Sequence, residues 1–164
     1  MTLTLWRSVR AALADEAFSG DGAAQFPGRY NAPGVRAVYL ADCPAGCALE
    51  IVASYAAPEA LATHVLFEVE VDAELVDLRT AAARKRYGVS LDALVAPDDY
   101  DAPRRIAARL LEERRAGAIV PAATVARAFN AVIYPSIWNG FAARAPVPLT
   151  LDRRVVERLS QPFV

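Results

Sequence analysis

Arg29, Tyr30 and Asn31 stand together in a stretch, Gly20 to Tyr39, that holds four glycines and two prolines. A guanidinium offers a planar fork of donors suited to paired phosphate oxygens. A tyrosine beside it can stack on a planar ring. The glycines and prolines hold the backbone to a defined path, so the three groups share one bend. Such a loop is suited to holding a ligand. Against this, a loop arginine can equally be solvated in a weak surface pair, and Tyr30 and Tyr39 can be half-core strand aromatics.

Glu50 is the second candidate. It is the only charged residue between Cys43 and Pro58, amid Ala48, Leu49, Ile51 and Val52. A carboxylate buried there needs a hydrogen bond or an opposite charge, which is the profile of a catalytic group. The alternative is a side chain pointing to solvent from an otherwise apolar helix. Arg7 either packs on the neighbouring Trp6 indole or reaches into the same cleft from the first strand. His64 opens a strand and reads as structural. Cys43 and Cys47, one helical turn apart, fit small buried thiols. One histidine and two cysteines do not make a zinc site, so no metal is expected. The runs Arg84-Lys85-Arg86, Arg104-Arg105 and Arg114-Arg115 read as solvated helix faces. Neither a Gly-x-Ser-x-Gly elbow nor a Gly-x-x-x-x-Gly-Lys phosphate loop occurs.

The elements that must position these groups follow from periodicity and turn chemistry. Leu3 to Arg7 reads as a strand, followed by a helix over Ser8 to Ala17. Asn31-Ala32-Pro33-Gly34 is a type II turn signal. Arg36 to Leu40 reads as a strand, which in a hairpin with Gly28–Asn31 brings Arg29 close to Tyr39; a wider loop is the alternative. Asp42 is placed to cap a helix with Pro44 in its first turn, running through Glu50 and ending before Pro58. Thr63 to Asp72 alternates, Val65, Phe67, Val69 and Val71 against Glu68, Glu70 and Asp72, as a half-buried strand does. Short helical pieces and a Pro97-Asp98-Asp99 loop fill the middle. Pro103 opens a helix for which Gly117 is the expected stop. Ala118–Val120, Asn130–Tyr134 and Val147–Leu151 read as strands, with Pro135 to Gly140 a loop and a short basic helix from Asp152. Strands and helices mix without regular alternation, so the fold class expected is α+β, with one domain over residues 1–164.

Composition narrows the function. The chain has 164 residues, 55% of them apolar, and a formal net charge of −1. No global basic field exists to attract DNA or an anionic membrane. No long uncharged apolar run reads as a membrane span, and the N-terminus lacks a secretion signal, so a cytoplasmic site with reduced thiols is expected.

In order along the chain, Leu5-Trp6-Arg7, Gly20…Gly22-Ala23, Gly28-Arg29-Tyr30-Asn31-Ala32-Pro33-Gly34, Val38-Tyr39-Leu40-Ala41, Ala48-Leu49-Glu50, Ile119-Val120-Pro121, Asn130 to Pro135 and Val147 to Arg154 resemble the RES-domain family. That family supplies the toxins of bacterial Xre–RES toxin–antitoxin pairs. Arg29 and Glu50 match the arginine and glutamate of its name. The serine departs: the family's Val-Pro-Ser stands here as Val120-Pro121-Ala122. Either Ser136 substitutes through a loop shift, or the hydroxyl is missing.

The resemblance implies an ADP-ribosyltransferase-like mixed sheet with surrounding helices. It implies NAD as a substrate rather than a retained cofactor, and cleavage of the nicotinamide–ribose bond with water, phosphate or a protein as acceptor. On this carry-over Glu50, Arg29 and Tyr39 are the catalytic residues. Arg7, Arg29, Tyr30, Asn31, Tyr39 and Ser136 bind the dinucleotide. A helix-turn-helix antitoxin of the Xre type is the implied partner, leaving DNA contact to that partner, and a homodimer is compatible with the apolar content. The alternatives are a protein ADP-ribosyltransferase toxin and an inactive relative that binds NAD or a partner.

Overall fold

The computed structural model describes residues 2–55 and 58–150. Eight strands form one sheet: β1 (Leu3–Arg10), β2 (Val38–Ala41), β3 (His64–Val71), β4 (Val76–Asp77), β5 (Gly117–Pro121), β6 (Phe129–Ile133), β7 (Ala142–Ala143) and β8 (Val147–Pro148). Their order is β4-β5-β6-β2-β1-β3-β7, with β8 also on β3. β4 and β5 are parallel and every other pair is antiparallel. The helices are α1 (Asp21–Gln25), α2 (Pro44–Tyr55), α3 (Ala81–Tyr87), α4 (Leu91–Val95) and α5 (Asp101–Glu112). This is the expected α+β mixed sheet.

β3 forms where the alternation placed it. It pairs with β1 over eight residues, from Leu3↔Val71 to Arg10↔His64. That pairing corrects the expected helix over Ser8 to Ala17. Ser8, Val9 and Arg10 stay in the ladder, the Ser8 hydroxyl donates to the Val65 carbonyl at 3.1 Å, and only a short 3-10 turn, Ala11–Glu16, follows. Cross-strand bonding outweighs a weak helical period. By contrast β1 and β2 pair at a single register position, Trp6↔Ala41.

The Pro33-Gly34 turn is present: Val35 N–H donates to the Ala32 carbonyl at 3.1 Å, and Gly34 has φ +80°. The hairpin does not form, and Gly28–Asn31 is irregular chain after the short α1. Asp42 does not cap α2. The Cys43 thiol accepts from Gly46 N–H at 3.4 Å instead, while an Asp42 carboxylate oxygen accepts from Phe129 N–H at 3.2 Å and so joins β2 to β6. Gly117 is not the stop of α5. The helix ends in a Schellman turn with Arg114 at φ +52°, Arg115 N–H donating to the Leu110 carbonyl at 2.8 Å and Arg114 N–H to Leu111 at 3.0 Å. Gly117 belongs to β5, where a Cβ would stand 1.9 Å from the Val132 carbonyl oxygen.

One sheet face buries Leu5, Val38, Leu40, Phe67, Val69 and Ile133. The other carries two clusters. Leu78, Leu94, Ile106, Leu110, Val132 and Tyr134 pack around α4, α5 and the β5–β6 strands. Ala41, Cys47, Ala48, Ile51 and Leu66 pack around α2. Residues of both clusters line one cleft. Of the expected C-terminal elements, Val147 and Pro148 form β8; Leu151 and the basic helix from Asp152 lie outside the described residues.

Candidate active site

The glycine bend is fixed from below by a buried amide. Asn31 is fully buried, and its Oδ1 accepts from Gly28 N–H at 2.8 Å and from the Tyr39 hydroxyl at 2.8 Å. Its Nδ2 donates to the carbonyls of Ala23 and Val35 at 2.7 and 3.0 Å. Tyr30 N–H donates to the Tyr39 hydroxyl at 2.9 Å. Gly28 is required here, because a Cβ would meet that hydroxyl at 2.8 Å and the ring carbon bearing it at 3.0 Å. Burial, ahead of its other surroundings, raises the Tyr39 pKa, so the phenol stays protonated and able to donate.

This platform presents Arg29. One guanidinium N–H donates to the Ala96 carbonyl at 2.6 Å, and the guanidinium carbon lies 4.4 Å from the Tyr100 ring centre. Arg104 approaches the same ring at 5.6 Å. Arg7 enters from β1. It donates through Nε to the Ala17 carbonyl and through Nη1 to the Tyr39 carbonyl at 2.8 Å, bridging β1 and β2 where they separate. Burial pushes its pKa down to about 10, which still leaves it charged at neutral pH. Glu50, on α2, completes the set. Its Oε1 accepts from the Thr124 hydroxyl at 2.8 Å and from Asn130 Nδ2 at 3.1 Å.

Arg7, Arg29, Tyr30, Tyr39 and Glu50 all line one open cleft of about 860 Å³, together with Pro97, Tyr100, Thr124 and Asn130. That volume is at the upper end of small-molecule sites. Two guanidiniums and one carboxylate facing one space suit a ligand carrying both anionic groups and a centre that turns positive.

Two expected ligand residues stand elsewhere. Asn31 is outside the cleft lining and holds the loop from beneath. Ser136 is exposed and also outside the lining. It follows the far end of β6 from Asn130, so a loop shift does not carry it to Glu50. Tyr30 reaches the cleft wall but is 2% exposed, its ring packed into the core around α5, which leaves little face for stacking. His64 is buried, with a ring nitrogen 2.7 Å from the Ala60 carbonyl, in keeping with a structural part, though it too lines the cleft. Burial pushes the Cys47 thiol up to about 12, so it is un-ionised and inert. Sequence reasoning missed Tyr100 and Thr124. Tyr100 directly follows a polar loop, and Thr124 stands two residues beyond the alanine found where a serine was expected.

This fold, with its cleft between an arginine bend and a helix-borne glutamate, marks the class: the chain belongs to the RES-domain family, whose model matches residues 4–155. Over 116 residues it is 34% identical to the NAD(+) phosphorylase MbcT of Mycobacterium tuberculosis and of Mycobacterium bovis. That match covers 66% of this chain and 62% of the relative. Among solved structures, the M. tuberculosis MbcT–MbcA toxin–antitoxin complex aligns with a TM-score of 0.79 at 26% identity, over 98% of this chain and 90% of that one. Among the described residues no helix is long and apolar enough to cross a membrane, and no cluster of three or more His, Cys, Asp or Glu could hold a metal ion.

Proposed function

We propose that this chain is a toxin that consumes NAD by breaking its nicotinamide–ribose bond, with phosphate as the acceptor. The observation that carries the reading is that Arg29 and Glu50 open onto one cleft of dinucleotide scale. The similarity to MbcT supports phosphate over water or a protein side chain.

In this reading Arg29 clamps the pyrophosphate with its planar fork, aided by Arg7. Tyr39 offers its ring to the nicotinamide while its hydroxyl holds the bend. The C1′–N bond breaks with its electron pair going to the pyridinium nitrogen, so nicotinamide leaves neutral and needs no strong acid. The sugar passes through an oxocarbenium-like state, as in glycoside hydrolysis. Glu50 hydrogen-bonds the ribose hydroxyls and stabilises the growing positive charge. A phosphate oxygen then bonds to C1′, giving ADP-ribose 1″-phosphate. The site of action is the cytoplasm. An Xre-type helix-turn-helix antitoxin covers the cleft; the similarity to a toxin–antitoxin complex supports a partner of that general kind.

The test is a product assay on purified chain and NAD, with and without phosphate. Nicotinamide release that depends on phosphate is expected, with loss of about 100-fold or more for Glu50→Gln, the scale of one removed transition-state contact. Free ADP-ribose made equally well without phosphate shifts the acceptor to water. No nicotinamide release under any condition ends the reading.

A further inference from the structure

We infer that Thr124 and Asn130 are the positioning residues of Glu50, and that Thr124 supplies the hydroxyl that Ala122 lacks. The inference rests on the NAD-cleaving reading. Both donors reach the same carboxylate oxygen, Thr124 at 2.8 Å and Asn130 at 3.1 Å. A carboxylate oxygen offers about two lone-pair sites. Oε1 is therefore filled by the protein, and Oε2 is the oxygen left to meet the sugar.

The three groups come from three elements. Glu50 stands on α2, Asn130 on β6, and Thr124 on the connection between β5 and β6. A glutamate side chain is long and rotamer-rich, and its tip wanders unless held. Two donors from independent elements hold one oxygen and so orient the other.

The connection itself explains how the hydroxyl gets there. Ala122 N–H donates to the Ala128 carbonyl at 3.0 Å, and Ala128 N–H to Val125 at 3.3 Å. Arg127 takes a left-handed φ of +68° to close the loop. Ala122 thus sits at the loop's base and is not among the residues lining the cleft, whereas Thr124, at the turn, lines it and reaches Glu50 on α2. The hydroxyl that meets Glu50 stands two residues on from Ala122. The expected Ser136 has no part in it.

The experiment measures kcat and KM for NAD by nicotinamide release, for wild type, Thr124→Val and Thr124→Ser, with thermal melting of each. Valine keeps the shape and removes the donor; serine keeps the donor. A misaligned catalytic group lowers turnover more than binding, so kcat for Thr124→Val should fall by about tenfold or more with KM within about threefold. Thr124→Ser should return kcat to within about threefold of wild type, at equal melting temperatures. An active wild type with an unchanged Thr124→Val, or with valine and serine equally impaired, overturns this inference alone. A wild type that releases no nicotinamide overturns the NAD reading and this inference with it.

Discussion

The two walls of the cleft are built on opposite principles. The arginine wall is over-determined: one buried amide, Asn31, ties Gly28, Tyr39, Ala23 and Val35 together, and Tyr39 returns to Tyr30. The glutamate wall is lightly held. Its connection between β5 and β6 has two backbone bonds of its own, and Thr124 is exposed. The anion side is thus fixed before ligand arrives, whereas the carboxylate is aimed by contacts at the solvent edge. A phosphate clamp gains from rigidity, since little ordering remains to be done on binding. In the proposed reaction the carboxylate side would admit the ribose and release two products, and lighter anchoring suits that traffic.

The contrast is sharpest if the buried amide is removed. Asn31→Ala leaves several buried groups without partners, at about 1–3 kcal/mol each where water cannot reach. A net loss of about 3 kcal/mol corresponds to a drop in melting temperature of roughly 6–12 °C for a chain of this size. Differential scanning fluorimetry checks it, and a drop under about 2 °C breaks the comparison. Gly28→Ala should come next, since its Cβ would meet the Tyr39 hydroxyl at 2.8 Å with that hydroxyl already bonded to Asn31. Overpacking of this kind costs about 1–3 kcal/mol, and KM for NAD should rise as Arg29 shifts. An unchanged melting temperature and KM together would mean the bend is softer than its hydrogen bonds suggest. On the other wall, Arg127→Gly relieves a left-handed φ of +68°. That relief, about 1–2 kcal/mol, is mostly offset by glycine's greater freedom in the unfolded chain. The expected outcome is a rise in melting temperature of about 1–3 °C; a fall would show that the Arg127 side chain holds the loop.

Much of this was legible in the chain. β3 announced itself by alternation, and the Pro33-Gly34 turn by its residue types, because both signals are local. Arg29 and Glu50 stood out against neighbours that did not explain them. What stayed hidden was set by contacts far apart in sequence. Asn31 looked like a ligand group because it sits between residues that line the cleft; only the packed fold shows the amide turned inward. Tyr30 looked like a stacking platform until the core around α5 took its ring. Thr124 reaches a carboxylate 74 positions away, and nothing local marks it. Gly117 was read as a helix stop on propensity, but the α5 terminus uses Arg114, and the glycine answers to the Val132 backbone across the sheet.

The resting posture of Arg29, laid on the Tyr100 ring and bonded to the Ala96 carbonyl, makes the anion wall a filter. Any newcomer competes with a neutral oxygen and an aromatic face already in place. A phosphate wins that exchange, because it brings a full negative charge and can accept two parallel N–H bonds from the guanidinium where the carbonyl accepts one. An uncharged nucleoside carries nothing that outbids the carbonyl, so in the proposed function this wall would select against it before the chemistry begins.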